Sequence, residues 1–447
     1  MSQISYIKYT DVLEARRYDA EYFKPEYLII NNNLKKLNSK DLVNYCFFIK
    51  KGIFDISPTK YKKQGIPFLR VSNTKSFFIN DEDMVYLDEE THKENNKTEL
   101  RKGDIVLSKV GTVGDAVINL DYEKVNFSQN NVGIRIRQDK INSAYVIAFF
   151  NSKYGRKQIE KQQSGQVQEK IVLDDIKFLK IPRLKNEDLI AGKVIESKQK
   201  QTQSKQLYHE AEELLLRELG LLTHQIKHSL WFTTTKNEVS EAHRYDSEYF
   251  QPKYAEIIKK IEVYKGGWNL VKNEFKQNTT LSKKDGEYCN YIEISDVNTS
   301  NGEITPNKIE IKDIPANGKR KLFKNDLLIS KVRPYRGAVS FVDFEVDNLI
   351  GSGAFTVLQE KTDYKKEVLM ILLKTQFIKD LLLRYNCGTS YPVIKDEDIL
   401  DLKIPIIKPS IQKQIFEKIQ ESHRLRKESK LLLEEAKRQV EEEIEKK

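Results

Sequence analysis

The chain has 447 residues, which allows two to four domains at roughly 100–200 residues each. Lys and Arg number 76 against 66 Asp and Glu, a formal net charge of +10, which fits either plain solubility or an acidic partner. The lack of any run near 18 apolar residues excludes a transmembrane helix, and the three cysteines are too scattered for a disulfide framework. No basic region followed by an apolar run begins the chain, so we expect a cytoplasmic protein.

The chain is built twice. Residues 14–25 (EARRYDAEYFKP) and 241–252 (EAHRYDSEYFQP) are identical at nine of twelve positions. GDIVLSKVGTVGDAVI at 103–118 returns as NDLLISKVRPYRGAVS at 325–340, and IKFLKIP at 176–182 returns as ILDLKIP at 399–405. The order is the same in both halves, and a period this long predicts tandem domains and not a solenoid.

Each half shows the same succession of predicted elements. Residues 17–37 and 244–262 have helical spacing, and Pro25 and Pro252 are predicted between two short helices or near a helix start. Residues 41–140 contain short β-rich runs separated by Gly, Asn and Asp, and the second copy repeats them with YIEISDVN, DLLISKV and GAFTVLQ. An apolar helix, a Gly-containing loop and the KIP strand end follow. The pattern therefore predicts two α+β domains.

A long charged helix is predicted after each KIP. Apolar residues recur at heptad spacing over about 186–222 and 411–444, around polar middles at 197–206 and 421–430. Such imperfect seams favour two helices that pair with each other or with a partner, although helices wrapped on their own domains would also fit.

No catalytic pattern is present in the sequence. GxxxxGK[ST], a GxGxxG loop after a strand, and a Pro-Pro dipeptide of the methyltransferase type are all missing. His224 and His228 are four residues apart, but without HExxH or a third ligand a surface pair is favoured over a metal site. The sequence therefore indicates a binding protein.

The repeated features together resemble a known family. The leads RYDAEYFKPEY and RYDSEYFQPKY, the stretches GDIVLSKVGTVG and NDLLISKVRPYRG, and SGQVQEKIVLDDIKFLKIP with its counterpart CGTSYPVIKDEDILDLKIP occur in one order, each set followed by a long helix. Over essentially its whole length the chain resembles the specificity subunits of type I restriction-modification systems. The pattern leaves open how the first 40 residues pack.

The resemblance implies an α+β fold with two tandem, pseudo-twofold-related target recognition domains separated by two long antiparallel helices. The segments it implies are a lead helical segment (1–40), target recognition domain 1 (41–183), a central long spacer helix (184–226), a linker with the second lead (227–263), target recognition domain 2 (264–406) and a distal long spacer helix (407–447).

The resemblance also implies a function without catalysis. Each domain would recognise one half of a bipartite, asymmetric double-stranded DNA target. The helices would dock two modification (methyltransferase) subunits, and restriction (translocase/nuclease) subunits would join them. S-adenosylmethionine, ATP and Mg would belong to those partners, with no cofactor in this chain and no membrane contact.

The candidate DNA-contacting residues follow from side-chain chemistry. Phosphates favour Lys, Arg and small hydroxyls, whereas base edges favour Arg for guanine and Asn or Gln for adenine. In the first domain these are Lys60, Lys62, Lys63, Arg70, Ser72, Asn73, Lys109, Thr112, Gln129, Asn130, Ser164, Gln166, Gln168 and Lys170. In the second they are Lys283, Lys284, Lys331, Arg333, Tyr335, Arg336, Ser352, Thr389, Ser390, Tyr391 and Lys395.

Two of these lysines recur at equivalent positions. Lys109 and Lys331 each follow a shared Ser, so both are predicted to hold a phosphate, although exposed lysines at strand ends fit the pattern equally. Gln129 and Asn130 have no copies in the second half, so the two half-sites are predicted to differ. Two alternatives remain open: a tandem single-stranded nucleic-acid binder that stacks bases on its 22 tyrosines, and a helical scaffold for proteins.

Overall fold

The protein is described by a computed structural model that covers residues 4–15, 17–163, 169–223, 228–388 and 391–446. It has the predicted α+β fold, and the chain forms two compact units. Unit 1 runs to Thr202 and includes the chain from Leu425 onward, whereas unit 2 runs from Gln203 to Arg424. The boundary between the units therefore falls within each long helix, whereas the predicted segments treat each long helix as a separate element.

The first repeat contains seven α-helices and eleven strands among its described residues. The helices are α1 (Tyr9–Ala15), α2 (Pro25–Lys36), α3 (Glu89–Glu94), α4 (Ser143–Asn151), α5 (Lys153–Gln162), α6 (Leu173–Lys177) and α7 (Glu187–Glu218). The strands are β1 (Lys40–Asp41), β2 (Cys46–Lys51), β3 (Ile66–Leu69), β4 (Thr74–Ile79), β5 (Val85–Leu87), β6 (Leu100–Arg101), β7 (Ile105–Ser108), β8 (Ala116–Ile118), β9 (Lys124–Phe127), β10 (Asn131–Ile136) and β11 (Lys180–Ile181).

The second repeat follows the same order. Its helices are α8 (Lys236–Ala242), α9 (Pro252–Glu262), α10 (Val271–Glu274), α11 (Lys366–Lys374), α12 (Gln376–Leu383), α13 (Asp396–Leu400) and α14 (Pro409–Glu445). Its strands are β12 (Trp268–Leu270), β13 (Phe275–Gln277), β14 (Tyr288–Ile292), β15 (Asn307–Glu310), β16 (Gly318–Lys321), β17 (Leu327–Ser330), β18 (Val339–Phe341), β19 (Leu349–Ser352), β20 (Phe355–Glu360) and β21 (Lys403–Pro405).

The duplication extends to sheet topology. One sheet has the order β2-β10-β7-β8-β4 in unit 1 and β13-β20-β17-β18 in unit 2. The other has the order β5-β3-β9-β6 in unit 1 and β15-β14-β19-β16 in unit 2, each with a single parallel pair at its centre. The two repeats are therefore copies in tertiary structure as well as in sequence.

Each unit has its own apolar core around one buried helix. Every residue of α4 is buried, as are Lys366–Leu373 of α11, because a helix that is apolar on most of its surface must be covered by other elements. Val440 of α14 belongs to the core of unit 1, and Leu215 of α7 belongs to that of unit 2. The long helices thus contribute to the cores of both units.

Within unit 1 the long helices pair antiparallel, and one serine from each helix lies at their contact. The Ser197 hydroxyl donates to the Ser429 carbonyl at 2.9 Å, and the Ser429 hydroxyl donates to the Ser197 carbonyl at 2.9 Å. Lys193 forms an ion pair with Glu435 at 2.6 Å on the same seam. The serines of the polar middles noted in the sequence are therefore buried contacts, since a small side chain lets two helix backbones approach closely.

Unit 2 has the same seam. The Ser204 hydroxyl donates to the Ser422 carbonyl at 2.7 Å, and the Ser422 hydroxyl returns a bond of 2.8 Å. Glu210 pairs with Lys418 at 2.5 Å. The antiparallel pairing that the resemblance implies is confirmed within each unit.

The first lead motif packs against the globular part of unit 1. Arg17 forms an ion pair with Asp19 at 2.6 Å, and its guanidinium lies 5.0 Å from the centroid of the Tyr22 ring. The buried Lys161, at the end of α5, lies over the same ring at 4.1 Å. The lead thus docks on the globular part of its own unit, which answers the packing question that the sequence left open.

The second lead motif repeats this packing in unit 2. Arg244 pairs with Asp246 at 2.6 Å, and Arg384 lies 4.5 Å from the Tyr249 ring centroid, where Lys161 stands over Tyr22 in the first repeat. Arg244 also donates to the carbonyl of Asn386 at 3.0 Å. The lead of unit 2 therefore braces the start of the loop that precedes α13.

Candidate nucleic-acid interface

The two predicted lysines lie in the same backbone frame. The Lys109 N–H donates to the Asn130 carbonyl at 2.9 Å, and the Lys109 carbonyl accepts from the Ile171 N–H at 3.1 Å. In unit 2 the Lys331 N–H donates to the Ala354 carbonyl at 2.9 Å, and the Lys331 carbonyl accepts from the Ile394 N–H at 3.0 Å. The structure thus confirms that the two lysines occupy equivalent positions.

This frame brings several predicted residues of unit 1 to one edge of the sheets. Gln129 donates its N–H to the Ile53 carbonyl at 2.9 Å, and Val110 forms a β-bridge with Lys170. Thr112, Asn130 and Lys170 are exposed. Ends of strands and loops that are far apart in sequence therefore converge here, with polar side chains at the surface.

Lys109 stands in a positive environment. Burial lowers the pKa of its ammonium, and the positive charge of Lys51 at the end of β2 lowers it further. An anion such as a phosphate would stabilise this ammonium, because burial and a neighbouring positive charge both disfavour its charged form. Lys51 was missed in the sequence analysis, because only the tertiary structure brings it near Lys109.

Lys331 has a partner that Lys109 lacks at the equivalent position. Its ammonium lies 3.1 Å from a carboxylate oxygen of Asp396, the first residue of α13, and Leu173 occupies that position in the first repeat. Burial by itself raises the pKa of Asp396, but the hydrogen bond from Thr356 and the ion pair with Lys331 outweigh it and hold the pKa below its usual value. Lys331 is therefore largely neutralised within unit 2.

Unit 2 presents a second basic group at β16. The Ser282 N–H donates to the Lys319 carbonyl at 2.8 Å, so the predicted Lys283 and Lys284 lie beside β16. A cleft of about 370 Å³ is lined by Lys283, Lys284 and Lys321, among others. Lys319, Arg320 and Lys321 were missed, although the run GKRK at 318–321 is a basic signal visible in the sequence.

Arg333 and Tyr391 lie together at the same edge of unit 2. The Arg333 guanidinium is 4.7 Å from the centroid of the Tyr391 ring, and 67% of Tyr391 is exposed. Arg336 and Lys395 are also exposed, whereas Tyr335 is half-buried. These predicted residues are accessible to a large ligand.

Several predicted residues have structural roles instead. Asn73 is fully buried, and its side chain accepts from the Arg70 N–H at 3.0 Å and donates to the Asn80 carbonyl at 2.9 Å. The Arg70 guanidinium donates to the carbonyl of Asp83. Ser352 is buried and accepts from the Ala354 N–H at 3.2 Å. The buried Asn73 and Ser352 side chains are not available to a base or phosphate in this structure, so these two predictions do not fit it.

The remaining predicted residues fall into three groups. Lys60 and Lys62 are exposed and lie 3.5 Å from Glu94 and 3.7 Å from Asp88. Lys63 and Ser72 are exposed. The residues that lie outside the described part of the chain are Ser164, Gln166, Gln168, Thr389 and Ser390.

The described residues contain neither a candidate metal cluster nor a candidate membrane-spanning helix. Among them no group of three or more His, Cys, Asp or Glu side chains could hold a metal ion. His228 lies 3.6 Å from Glu248, and His224 is outside the described residues. In the described part of the chain, no helix combines the length and apolar character needed to span a bilayer.

Comparison with known proteins finds a family model that matches part of the chain. The sequence model of the type I restriction modification DNA specificity domain matches residues 261–435, which contain the two four-stranded sheets of unit 2. The first repeat has the same strand order as that segment, with β4 as an additional strand at the edge of one sheet. Residues 261–435, about two-fifths of the chain, are thus similar to the type I restriction modification DNA specificity domain.

A curated relative also matches part of the chain. The chain is similar to the Type I restriction enzyme HindI specificity subunit of Haemophilus influenzae (strain ATCC 51907 / DSM 11121 / KW20 / Rd), with 29% identity over 138 residues. The match covers 28% of this chain and only 29% of that relative. The resemblance found in the sequence is thus confirmed over the matched part of the chain.

Solved structures of the same kind also match. A type I restriction-modification S subunit from M. genitalium matches with a TM-score of 0.45 and 14% identity, over 91% of this chain and 94% of that one. The HsdS subunit from Thermoanaerobacter tengcongensis matches with a TM-score of 0.26 and 13% identity, over 91% and 95% of the two chains.

Proposed function

We propose that this chain is the DNA-recognition subunit of a type I restriction-modification complex and that each unit binds one half of a bipartite double-stranded target. The observation that carries the proposal is the shared backbone frame around Lys109 and Lys331, whose surrounding loops differ between repeats. A common frame can place either unit on a DNA backbone in the same way. Different loop side chains then select different base pairs, so the target is asymmetric.

The chemistry of the exposed and half-buried side chains supports double-stranded DNA. Lys109, Lys170 and the group at β16 supply positive charge for phosphates, and Asn130 and Arg333 are residue types that hydrogen-bond to base edges. The largest fully buried aromatic side chains include Tyr145, Tyr254 and Phe68, which serve the cores and are not available for base stacking. A single-stranded binder would instead need aromatic side chains along an exposed groove.

We assign no catalytic step to this chain. S-adenosylmethionine, ATP and Mg belong to the partners in this proposal, which are two modification subunits and the restriction subunits. The paired helices α7 and α14 are the proposed docking elements for the modification subunits. Purified chain without partners should therefore neither methylate nor cleave DNA.

Methylation mapping tests the modular proposal. The chain is co-expressed with its modification subunits, and the modified motif is determined by sequencing for wild type and for Gln129→Ala with Asn130→Ala. We expect a bipartite wild-type motif and a variant that relaxes one half-site only. Lys312→Ala, an exposed lysine paired with Glu310 at 2.6 Å, is the matched control and should leave both half-sites unchanged.

Two results would contradict the proposal. Equal relaxation of both half-sites by the double variant would exclude separate recognition by the two units. Tighter binding of the complex to single-stranded than to double-stranded DNA would favour the single-stranded alternative.

A further inference from the structure

At one position of the interface, the second repeat has an L-residue with a left-handed backbone where the first repeat has glycine. After the equivalent Lys and Val, the first repeat has Gly111 and the second has Arg333. Both residues have left-handed backbones, with φ of 84° at Gly111 and 49° at Arg333. The preceding valines form equivalent β-bridges, Val110 with Lys170 and Val332 with Val393, so the two turns occupy the same place in the fold.

The left-handed backbone makes the arginine costly. Glycine adopts this conformation freely, whereas the Cβ of an L-residue crowds the backbone there. A strained residue of this kind persists where its surroundings hold it, and such residues cluster at binding sites. The side chain of Arg333 is therefore the feature to explain.

The surroundings of Arg333 hold its side chain in place. Its backbone N–H donates to the Pro392 carbonyl at 2.8 Å, and its guanidinium carbon lies over the exposed Tyr391 ring, 4.7 Å from the ring centroid. A cation–π contact of this kind is an electrostatic attraction to the ring and uses no N–H hydrogen bond. The ring thus holds the guanidinium beside the exposed surface.

The segment that carries Tyr391 is itself anchored at its base. Cys387 and Val393 exchange two backbone hydrogen bonds of 2.9 and 3.0 Å, and the Ile394 N–H donates to the Lys331 carbonyl at 3.0 Å. The ion pair of Lys331 with Asp396 fixes the next turn. A recognition side chain needs such support, since small errors in its position weaken paired hydrogen bonds.

We propose that Arg333 recognises a guanine in the half-site bound by unit 2, with Tyr391 as its platform. This inference rests on the proposed function. The planar guanidinium donates two parallel hydrogen bonds, which match O6 and N7 of guanine in the major groove. Gly111 has no side chain, so the equivalent position of unit 1 recognises no base.

The test uses the complex of the full chain with its modification subunits. Methylated motifs and binding constants for duplexes changed at each position are compared for wild type, Arg333→Gly, Tyr391→Ala and the control Lys312→Ala. Arg333→Gly removes the side chain and also relieves the left-handed strain, so its thermal stability should equal or exceed that of wild type. A loss of recognition in this variant is therefore not a loss of folding.

We expect the wild-type motif to contain one G·C pair in one half-site whose discrimination falls on the order of 5- to 150-fold in Arg333→Gly. The other half-site should be unchanged, and Tyr391→Ala should show a smaller loss at the same pair. Weakening of all duplexes by one factor would mean a phosphate contact and would overturn the assignment. A bipartite motif that Arg333→Gly leaves unchanged would overturn it while the proposed function stands, whereas no bipartite motif in wild type would overturn both.

Discussion

The two equivalent lysines should contribute unequally to DNA binding, although the sequence treats them alike. Lys109 lies near another cation, whereas Lys331 is paired with Asp396 at 3.1 Å. A lysine that is already neutralised releases few counterions from DNA, because its charge is satisfied within the protein. We therefore expect Lys109→Ala and Lys331→Ala to differ in salt dependence, and Asp396→Asn to act in the opposite sense.

The magnitudes follow from counterion release. Each lost phosphate contact reduces the slope of log affinity against log salt concentration by about 0.9. When salt is raised from 50 to 200 mM, the affinity of Lys109→Ala should therefore fall by a factor that is about 3.5 times smaller than the factor for wild type. Lys331→Ala should change this slope little. It leaves Asp396 partly buried without its cation, at a cost of about 1–2 kcal/mol in the free energy of unfolding. Asp396→Asn frees Lys331 and should steepen the slope by up to about one ion.

The assay is fluorescence anisotropy of the assembled complex on its target duplex at four salt concentrations, with urea denaturation of each variant chain. Lys153→Ala is the matched control, since this exposed lysine lies 4.0 Å from Glu445 on α14. Equal slopes for Lys109→Ala and Lys331→Ala would refute the reasoning, as would a flatter slope for Asp396→Asn.

Three further outcomes are expected. Ser429→Leu should lower the free energy of unfolding by about 1–3 kcal/mol through overpacking, whereas Ser429→Ala should lower it by about 1 kcal/mol. Equal effects of the two variants in urea denaturation would mean that the two helices are not closely packed at this serine. Burial lowers the pKa of Lys161 from 10.5 to about 8. Between these two pH values the unfolded chain binds more protons than the folded chain, so the free energy of unfolding should rise with pH. Lys161→Met should abolish this rise in thermal melts, and a rise that persists in the variant would contradict this cause. Insertion of four residues after both Thr202 and Arg424 preserves the contacts within each unit and adds about 6 Å of helix. Methylation mapping should then show a spacer longer by about one base pair or slightly more, with both half-sites unchanged. An unchanged spacer would mean that these helices do not set the spacing.

The sequence by itself determined the architecture. The recurrence of RYD, SKV and KIP in one order is enough to predict duplication, and alternating short apolar runs followed by an apolar helix are enough to predict α+β units. These signals are local or periodic, so they survive without coordinates. The equivalence of Lys109 and Lys331 also follows from sequence alignment of the repeats.

The tertiary structure decided which side chains are available to a ligand. Asn73 has the chemistry of a base-contacting residue, but its amide closes a turn inside unit 1. The serines of the polar helix middles become buried contacts only when the opposite helix is present. Lys331 and Asp396 are distant in the chain and adjacent in space, and Coulomb interactions depend on distance in space. Charge neutralisation, burial and backbone strain at Arg333 are therefore properties of the folded chain that residue types alone do not reveal.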